Sequence, residues 1–145
     1  MMKRLLQGRL ACWLCGVCLL LGSGMAPAGA AELPAALVGA LQRYIALPDA
    51  LLPVLEAAHD KPSADRAAAD LQALLPRVYE SRRELREIQA LSPAEQEAVR
   101  KRFEMQMRTR WGRVFEQIFR LQRVHCYESI DFFKHFNTLC VMLEK

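Results

Sequence analysis

Beyond position 30 the chain carries almost none of the signals that make β structure. Runs of β-branched residues are few, Asn-Gly and Asp-Gly turns are missing, and no stretch alternates apolar with polar, so a sheet protein is excluded. No Gly/Ser-rich linker, second long hydrophobic segment or internal repeat divides the chain. Cysteine is scarce: Cys12, Cys15 and Cys18 fall in the first 30 residues, and only Cys126 and Cys140 follow. The motifs of common catalysts, G-x-S-x-G, H-E-x-x-H and a Gly-rich phosphate loop, are missing too.

What is present begins with an export leader. Lys3, Arg4 and Arg9 form a positive region, Leu10 to Leu21 an apolar run, and Gly22 to Ala30 a small-residue segment ending Ala28-Gly29-Ala30. That order is the pattern of a secretory signal peptide, with cleavage expected after Ala30. The apolar run is shorter than the roughly 20 residues of a membrane span. Cys15-Gly16-Val17-Cys18 lies inside the apolar run and is followed by Leu19, so it reads as neither a redox motif nor a haem-attachment site, and neither Cys12 nor Cys18 has the setting of a lipoprotein cysteine. The leader holds three of the 20 Lys+Arg and none of the 16 Asp+Glu, so its removal takes the formal charge from +4 to +1. The expected product is one domain, residues 31–145, exported to the periplasm or secreted, with no transmembrane span after processing. Its length suffices for a single modest core.

Helix signals fill that domain. Leu33 to Leu47 is Ala/Leu-rich with Pro34 at a first-turn position. Pro48 and Asp49 then predict a break, and a second short helix follows to about His59. Asp60-Lys61-Pro62-Ser63 is a restart, with Ser63 as the expected N-cap and Asp65 in the first turn. Ala64, Ala67, Ala68, Leu71, Leu74, Leu75, Val78, Leu85 and Ile88 keep helical spacing, and Pro76 predicts a kink. Ser92-Pro93-Ala94-Glu95 is a capping box that opens a helix running to about Val124. At 100° per residue, Phe103, Met107, Trp111, Val114, Ile118 and Leu121 share one face of it. Tyr127-Glu128 predicts a turn, Ser129 a cap, and Ile130 to Phe136 a short aromatic helix ended by Asn137. The expected fold is all-α: a long antiparallel hairpin, Ser63–Ala90 against Pro93–Val124, with short N- and C-terminal helices packed on it as a small bundle.

Several side-chain groups qualify as sites. His125, Cys126, His135 and Cys140 are candidate ligands for zinc or copper, although H-C-x8-H-x4-C fits no zinc-site template. Cys126 and Cys140 are also candidates for a disulfide in an oxidising compartment, the alternatives being buried free thiols and intermolecular pairing. One straight helix through Ser129–Leu143 would hold the two beyond bridging distance, whereas a tail that turns back at Asn137 would let them meet. The carboxylate pairs Glu80/Glu84 and Glu95/Glu97 sit among arginines and read as ion-paired helix faces. Lys101, Arg102, Arg108, Arg113, Arg120 and Arg123 make a face suited to an anionic lipid, cell-wall polymer or acidic partner, or else a solvated face neutralised by Glu80, Glu84 and Glu87. Met105 and Phe119 fall towards that basic side, an apolar surplus that suggests a partner surface or a dimer.

Two short stretches carry resemblances. Asp60-Lys61-Pro62-Ser63-Ala64-Asp65 followed by Ala67-Ala68-Ala69, together with Tyr127-Glu128-Ser129, resembles the D-K-x-S-A helix start and Tyr-x-Ser turn of a group of small exported bacterial helical proteins without assigned function. That likeness spans roughly residues 50–135 and implies a fold but no activity. Leu91-Ser92-Pro93-Ala94-Glu95-Gln96 is similar to the L-T-x-x-Q helix start of Spy-like periplasmic chaperones and metal-resistance proteins, with Glu95 at the fifth position and Gln96 one residue late. The expectation is a non-catalytic exported helical protein without a cofactor, binding itself as a homodimer or an envelope protein or polymer. Peripheral membrane contact is compatible with it, and nucleic acid is disfavoured by export. The alternative is a Spy-like chaperone or a metal-handling envelope protein.

Overall fold

The structure, a computed structural model, describes residues 32–87 and 91–144, so the leader, Ile88 and Ala90 lie outside the described residues. It is an all-α bundle of four helices among the described residues: α1 (Ala35–Ala57), α2 (Lys61–Glu87), α3 (Pro93–Arg123) and α4 (Ile130–Glu144).

α1 is one helix of 23 residues, not two short ones broken at Pro48. Proline in a helix interior removes a backbone donor and costs about 3 kcal/mol. Here Tyr44, Leu47, Leu51 and Leu55 all reach the core across the would-be break. Burying each large apolar side chain contributes roughly 1.5–3 kcal/mol, so packing overrides the local signal. Pro48 is itself buried, and Pro53 also lies within the helix. By length and a mean hydropathy of 1.2, α1 would suffice to cross a membrane, but 44% of that window is buried inside the bundle. It also carries Arg43, Asp49 and Glu56, each in an ion pair with another helix.

α2 starts at Lys61, earlier than a Ser63 cap predicts. Asp60 is the cap, because its Oδ1 accepts from the Ser63 amide (2.8 Å) and its carbonyl takes the first helical bond from Ala64. Ser63 Oγ accepts in return from the amides of Asp60 and His59, both at 3.0 Å. The logic is that of a capping box with the hydroxyl at the third position instead of the first. α2 continues through Pro76 to Glu87. α3 opens as expected: Ser92 Oγ accepts from the Glu95 amide, and Glu95 Oε2 accepts from the Ser92 amide at 2.8 Å.

α4 runs past Asn137 to Glu144 because Phe132, Phe136, Leu139 and Leu143 form one buried line along it. Between α3 and α4 lies the turn expected at Tyr127-Glu128, followed by the expected cap, with Ser129 Oγ accepting from the Phe132 amide at 3.3 Å. The backbone of the turn is not one that the sequence predicts. His125, Cys126, Tyr127 and Glu128 all have positive φ, 47° to 60°, and none is glycine. For L-residues this left-handed backbone costs about 1–2 kcal/mol per residue.

The closest backbone approaches are those of α1 with α2, α1 with α3, and α4 with α2. α1 thus fits between the two longest helices, which make no close backbone approach to each other among the described residues. The hairpin expected of Ser63–Ala90 and Pro93–Val124 is therefore held open by α1 within the helical bundle. Arg43 of α1 meets Glu84 near the end of α2, so these helices are antiparallel. Asp49 meets Arg110, and Glu56 meets Arg113, so α1 and α3 run in the same direction. The main core gathers Leu51, Leu55, Leu71, Val78, Trp111, Val114, Leu121, Phe132 and Leu139 from all four helices. A smaller cluster of Leu37, Leu41, Ile45, Val99 and Phe103 closes the other end of the α1–α3 contact.

One side chain joins the elements at the core end. Arg120 of α3 donates from Nη2 to the Leu55 carbonyl (2.7 Å) and from Nη1 to the Ala58 carbonyl (2.8 Å), capping α1. Its Nη1 also donates to the Tyr127 hydroxyl (3.0 Å), and its Nε to Gln117 Oε1 (2.6 Å). Arg120→Ala should therefore destabilise the fold by about 2–4 kcal/mol, because the carbonyls lose a charged donor. Arg108→Ala on the exposed side should change stability by less than about 0.5 kcal/mol. Urea denaturation of the two variants checks this.

The caps also set the acid limit. The hydroxyl and amide of Ser63 hold the Asp60 carboxyl below its ordinary 3.8. Ser129 and Lys61 do the same for Asp65, and Ser92 for Glu95. A carboxyl held low contributes stability above its unfolded value and loses it as pH falls through the folded one. Melting temperature should stay level from neutral pH down to about 5 and drop below about 4. Asp60→Asn should flatten part of that drop, as a melting series across pH reads directly.

Candidate functional site

The six cations proposed as one face fall on two lines of α3. Arg102, Arg113 and Arg120 share one, on the side of α1: Arg113 pairs with Glu56 (3.2 Å), Arg120 caps α1, and the Arg102 guanidinium lies over the Phe103 ring at 5.2 Å. Lys101, Arg108 and Arg123 share the other line and point outward. Lys101 lies 3.7 Å from Glu97, while Arg108 and Arg123 have no ion pair among the described residues. Met105 (80% exposed) and Phe119 (41%) stand on this outward line. Two of the six cations, Arg113 and Arg120, therefore tie α3 to α1, Arg102 stacks within α3, and the other three are interleaved with apolar side chains in solvent.

The His/Cys group does not assemble. Among the described residues no three His, Cys, Asp or Glu side chains stand together as metal donors. His125 is exposed in the left-handed turn, Cys126 is buried beside it, and His135 and Cys140 lie half-buried along α4. Cys126 and Cys140 are free thiols, and no pair of cysteines among the described residues is at bonding distance. The reason is the unbroken helix through Asn137: α4 carries Cys140 along its axis instead of turning back to the turn. Both thiols still reach the main core.

Burial governs their chemistry. It pushes the Cys126 thiol up to about 11, with the Arg120 charge offsetting part of the rise. Cys140 is pushed up to about 12 by burial, then by the charges of Glu144 and Cys126, with a hydrogen bond from Gln122 opposing them. Thiolates are the nucleophiles and metal ligands, and both groups are thiols at neutral pH. Each raised value also stabilises the fold below the unfolded thiol value and loses that contribution as pH rises, so stability declines above about pH 9. Native protein at pH 8 should react with an aromatic disulfide reagent at least about tenfold more slowly than the chain in denaturant. A fast native thiol would contradict the buried placement.

Sequence reasoning missed a polar group inside the bundle. Tyr44 of α1 stacks on Trp111 of α3 with ring centroids 4.7 Å apart. Burial pushes the Tyr44 hydroxyl up to about 12, against the pull of the nearby Arg82 charge. Arg82 and Ser81 of α2 are buried as well. Trp111 Nε1 and Ser81 Oγ have no hydrogen-bond partner among the described residues. The only sequence signal was the helical register of Trp111, which predicts burial but not a tyrosine and an arginine close by.

A cleft of about 340 Å³ opens between α1 and α2 beside Pro76. Its carboxylates are committed: Glu84 to Arg43 and Glu80 to Arg83, each at 2.8 Å. The Glu95/Glu97 pair divides in the same way, Glu95 closing the α3 cap and Glu97 pairing with Arg100 at 2.6 Å. These pairs supply no poised acid and base.

Set against family models, curated proteins and solved structures, the chain finds no significant match in any of the three. Function has to be read from the chain's own geometry.

Proposed function

We propose that this chain is an exported, non-catalytic helical protein of the cell envelope, periplasmic or secreted, that works by binding another macromolecule or a second copy of itself. The observation that carries the reading is the outer side of α4. Ile130 (82% exposed) and Phe133 (52%) stand in solvent there, with Val141 two turns further on, although the opposite side of the same helix is fully packed. Large apolar side chains gathered on one exposed helix face support contact with another surface. The groups that would do chemistry are spent on structure: thiols buried, carboxylates paired, Arg120 capping a helix. Export rests on the composition of residues 1–30 and not on the bundle.

A second reading, a Spy-like periplasmic chaperone, draws support from Met105 and Phe119 set among Lys101, Arg108 and Arg123 on α3. The metal-handling form of that alternative has no donor group to rest on among the described residues.

Light scattering across a wide range of concentration separates the readings. The average mass should rise with concentration, and Ile130→Asp with Phe133→Asp should hold it at the monomer while helical circular dichroism is unchanged. A wild-type mass fixed at the monomer, together with suppressed aggregation of an unfolding client by the pure protein, moves the conclusion to the chaperone.

A further inference from the structure

The connection between α3 and α4 identifies what the second partner can be. His125, Cys126, Tyr127 and Glu128 occupy the left-handed region consecutively, at φ 47°, 49°, 53° and 60°. The residues themselves do not require it. Positions 124–129, Val-His-Cys-Tyr-Glu-Ser, contain neither proline nor glycine, and for each of them the right-handed helix is the lower-energy backbone. Right-handed geometry there would fuse α3 and α4 into one helix from Pro93 to Glu144, roughly 78 Å long at 1.5 Å per residue. In that form α4 is carried away from its own α2.

The contacts of α4 survive such a change. Phe132, Phe136, Leu139 and Leu143 are buried on the side that meets α2, and α4 makes no close backbone approach to α3. The surface it covers on α2 is the same surface on any copy of the chain. What belongs to the closed form alone is a latch: Arg120 Nη1 donating to the Tyr127 hydroxyl at 3.0 Å, with Cys126 held in the core.

We propose that the protein forms a two-fold dimer by exchanging α4, the turn His125–Glu128 straightening so that α4 of each copy packs on α2 of the other. Closed exchange of an identical element is a low-cost route to dimers, and a short strained hinge invites it. The inference deepens the self-association branch of the function proposed above and rests on it: contact through the exposed Ile130 and Phe133 brings the α4 helices of two copies together, and exchange follows from that encounter.

The test uses protein purified after expression of the full-length chain and refolded at low and at high concentration, with mass read by light scattering and shape by small-angle scattering. Glycine accepts the left-handed backbone and disfavours a continuous helix. The double variant His125→Gly with Glu128→Gly, at two exposed positions, should therefore weaken dimerisation at least about tenfold. Tyr127→Phe removes the latch, keeps the ring, and should raise the dimer fraction several-fold. Cys126, 1% exposed in the closed form, should become open to alkylation in the isolated dimer. A dimer whose stability ignores both hinge variants, and whose Cys126 stays protected, leaves self-association standing and overturns the exchange. A chain that stays monomeric even when refolded at high concentration overturns the exchange and the self-association branch together.

Discussion

The bundle depends on the Arg120 guanidinium more than on any other polar contact. α1 ends at Ala57 with an extended residue after it, no glycine, and no basic residue of its own in the last turn. The Ala57 carbonyl has the His59 ring nitrogen at 2.8 Å, but those of Leu55 and Ala58 would be left without donors, the ordinary weakness of a helix C-terminus. Arg120 supplies those donors from a neighbouring helix, and a cation there also suits the negative end of the helix dipole. Because the same side chain reaches Tyr127 and Gln117, it fixes three things at once: where α1 stops, how α1 and α3 align, and how the chain leaves α3. Lysine, with three donors on one compact nitrogen and no planar fork, could not serve these four separated acceptors at once.

That joint explains how an unfavourable turn persists. Four left-handed residues without glycine are held because their surroundings over-determine them. Cys126 and Ser129 are buried on either side of Tyr127. The Ser129 amide donates to the Cys126 carbonyl at 3.2 Å, and the Ser129 hydroxyl lies against Asp65 at the start of α2. The turn is thus fastened to α2 through Asp65 and to α3 through Arg120. The strain in the backbone is offset by contacts that other helices provide.

Much of the architecture was legible because it rests on local chemistry. The capping box at Ser92, the buried line from Phe103 to Leu121 and the all-helical class all follow from spacing alone. Two of the misses, at Pro48 and Asn137, have one cause in common, which is that tertiary burial outweighs local punctuation. Pro48 signals a break, yet Leu47, Leu51 and Leu55 need one continuous helix to reach the core. Asn137 signals an end, yet Leu139 and Leu143 extend the buried line beyond it. Ser63 is a good cap by type, but this miss is local: Asp60 Oδ1 accepts from the Ser63 amide, so the cap sits three residues earlier. The basic face was partly legible too. Helical arithmetic already separates Lys101, Arg108 and Arg123 from Arg102, Arg113 and Arg120, but nothing in the sequence says that α1 lies along the second line.

Local preference and global fold agree almost everywhere in this molecule, and such agreement is what gives a chain a single structure. The remaining disagreements therefore carry information. At Pro48, Pro53 and Pro76 the cost is a missing donor inside an otherwise packed helix, and the alternative, a broken helix, would expose apolar side chains. The turn at His125–Glu128 is different in kind. There the locally preferred alternative is more helix, and it would leave the apolar line of α4 intact and able to find the same surface on another copy. A conflict whose resolution exposes the core keeps a protein in one form. A conflict whose resolution preserves the core contacts places two forms close in free energy, and in this bundle only the connection between α3 and α4 has that property among the described residues.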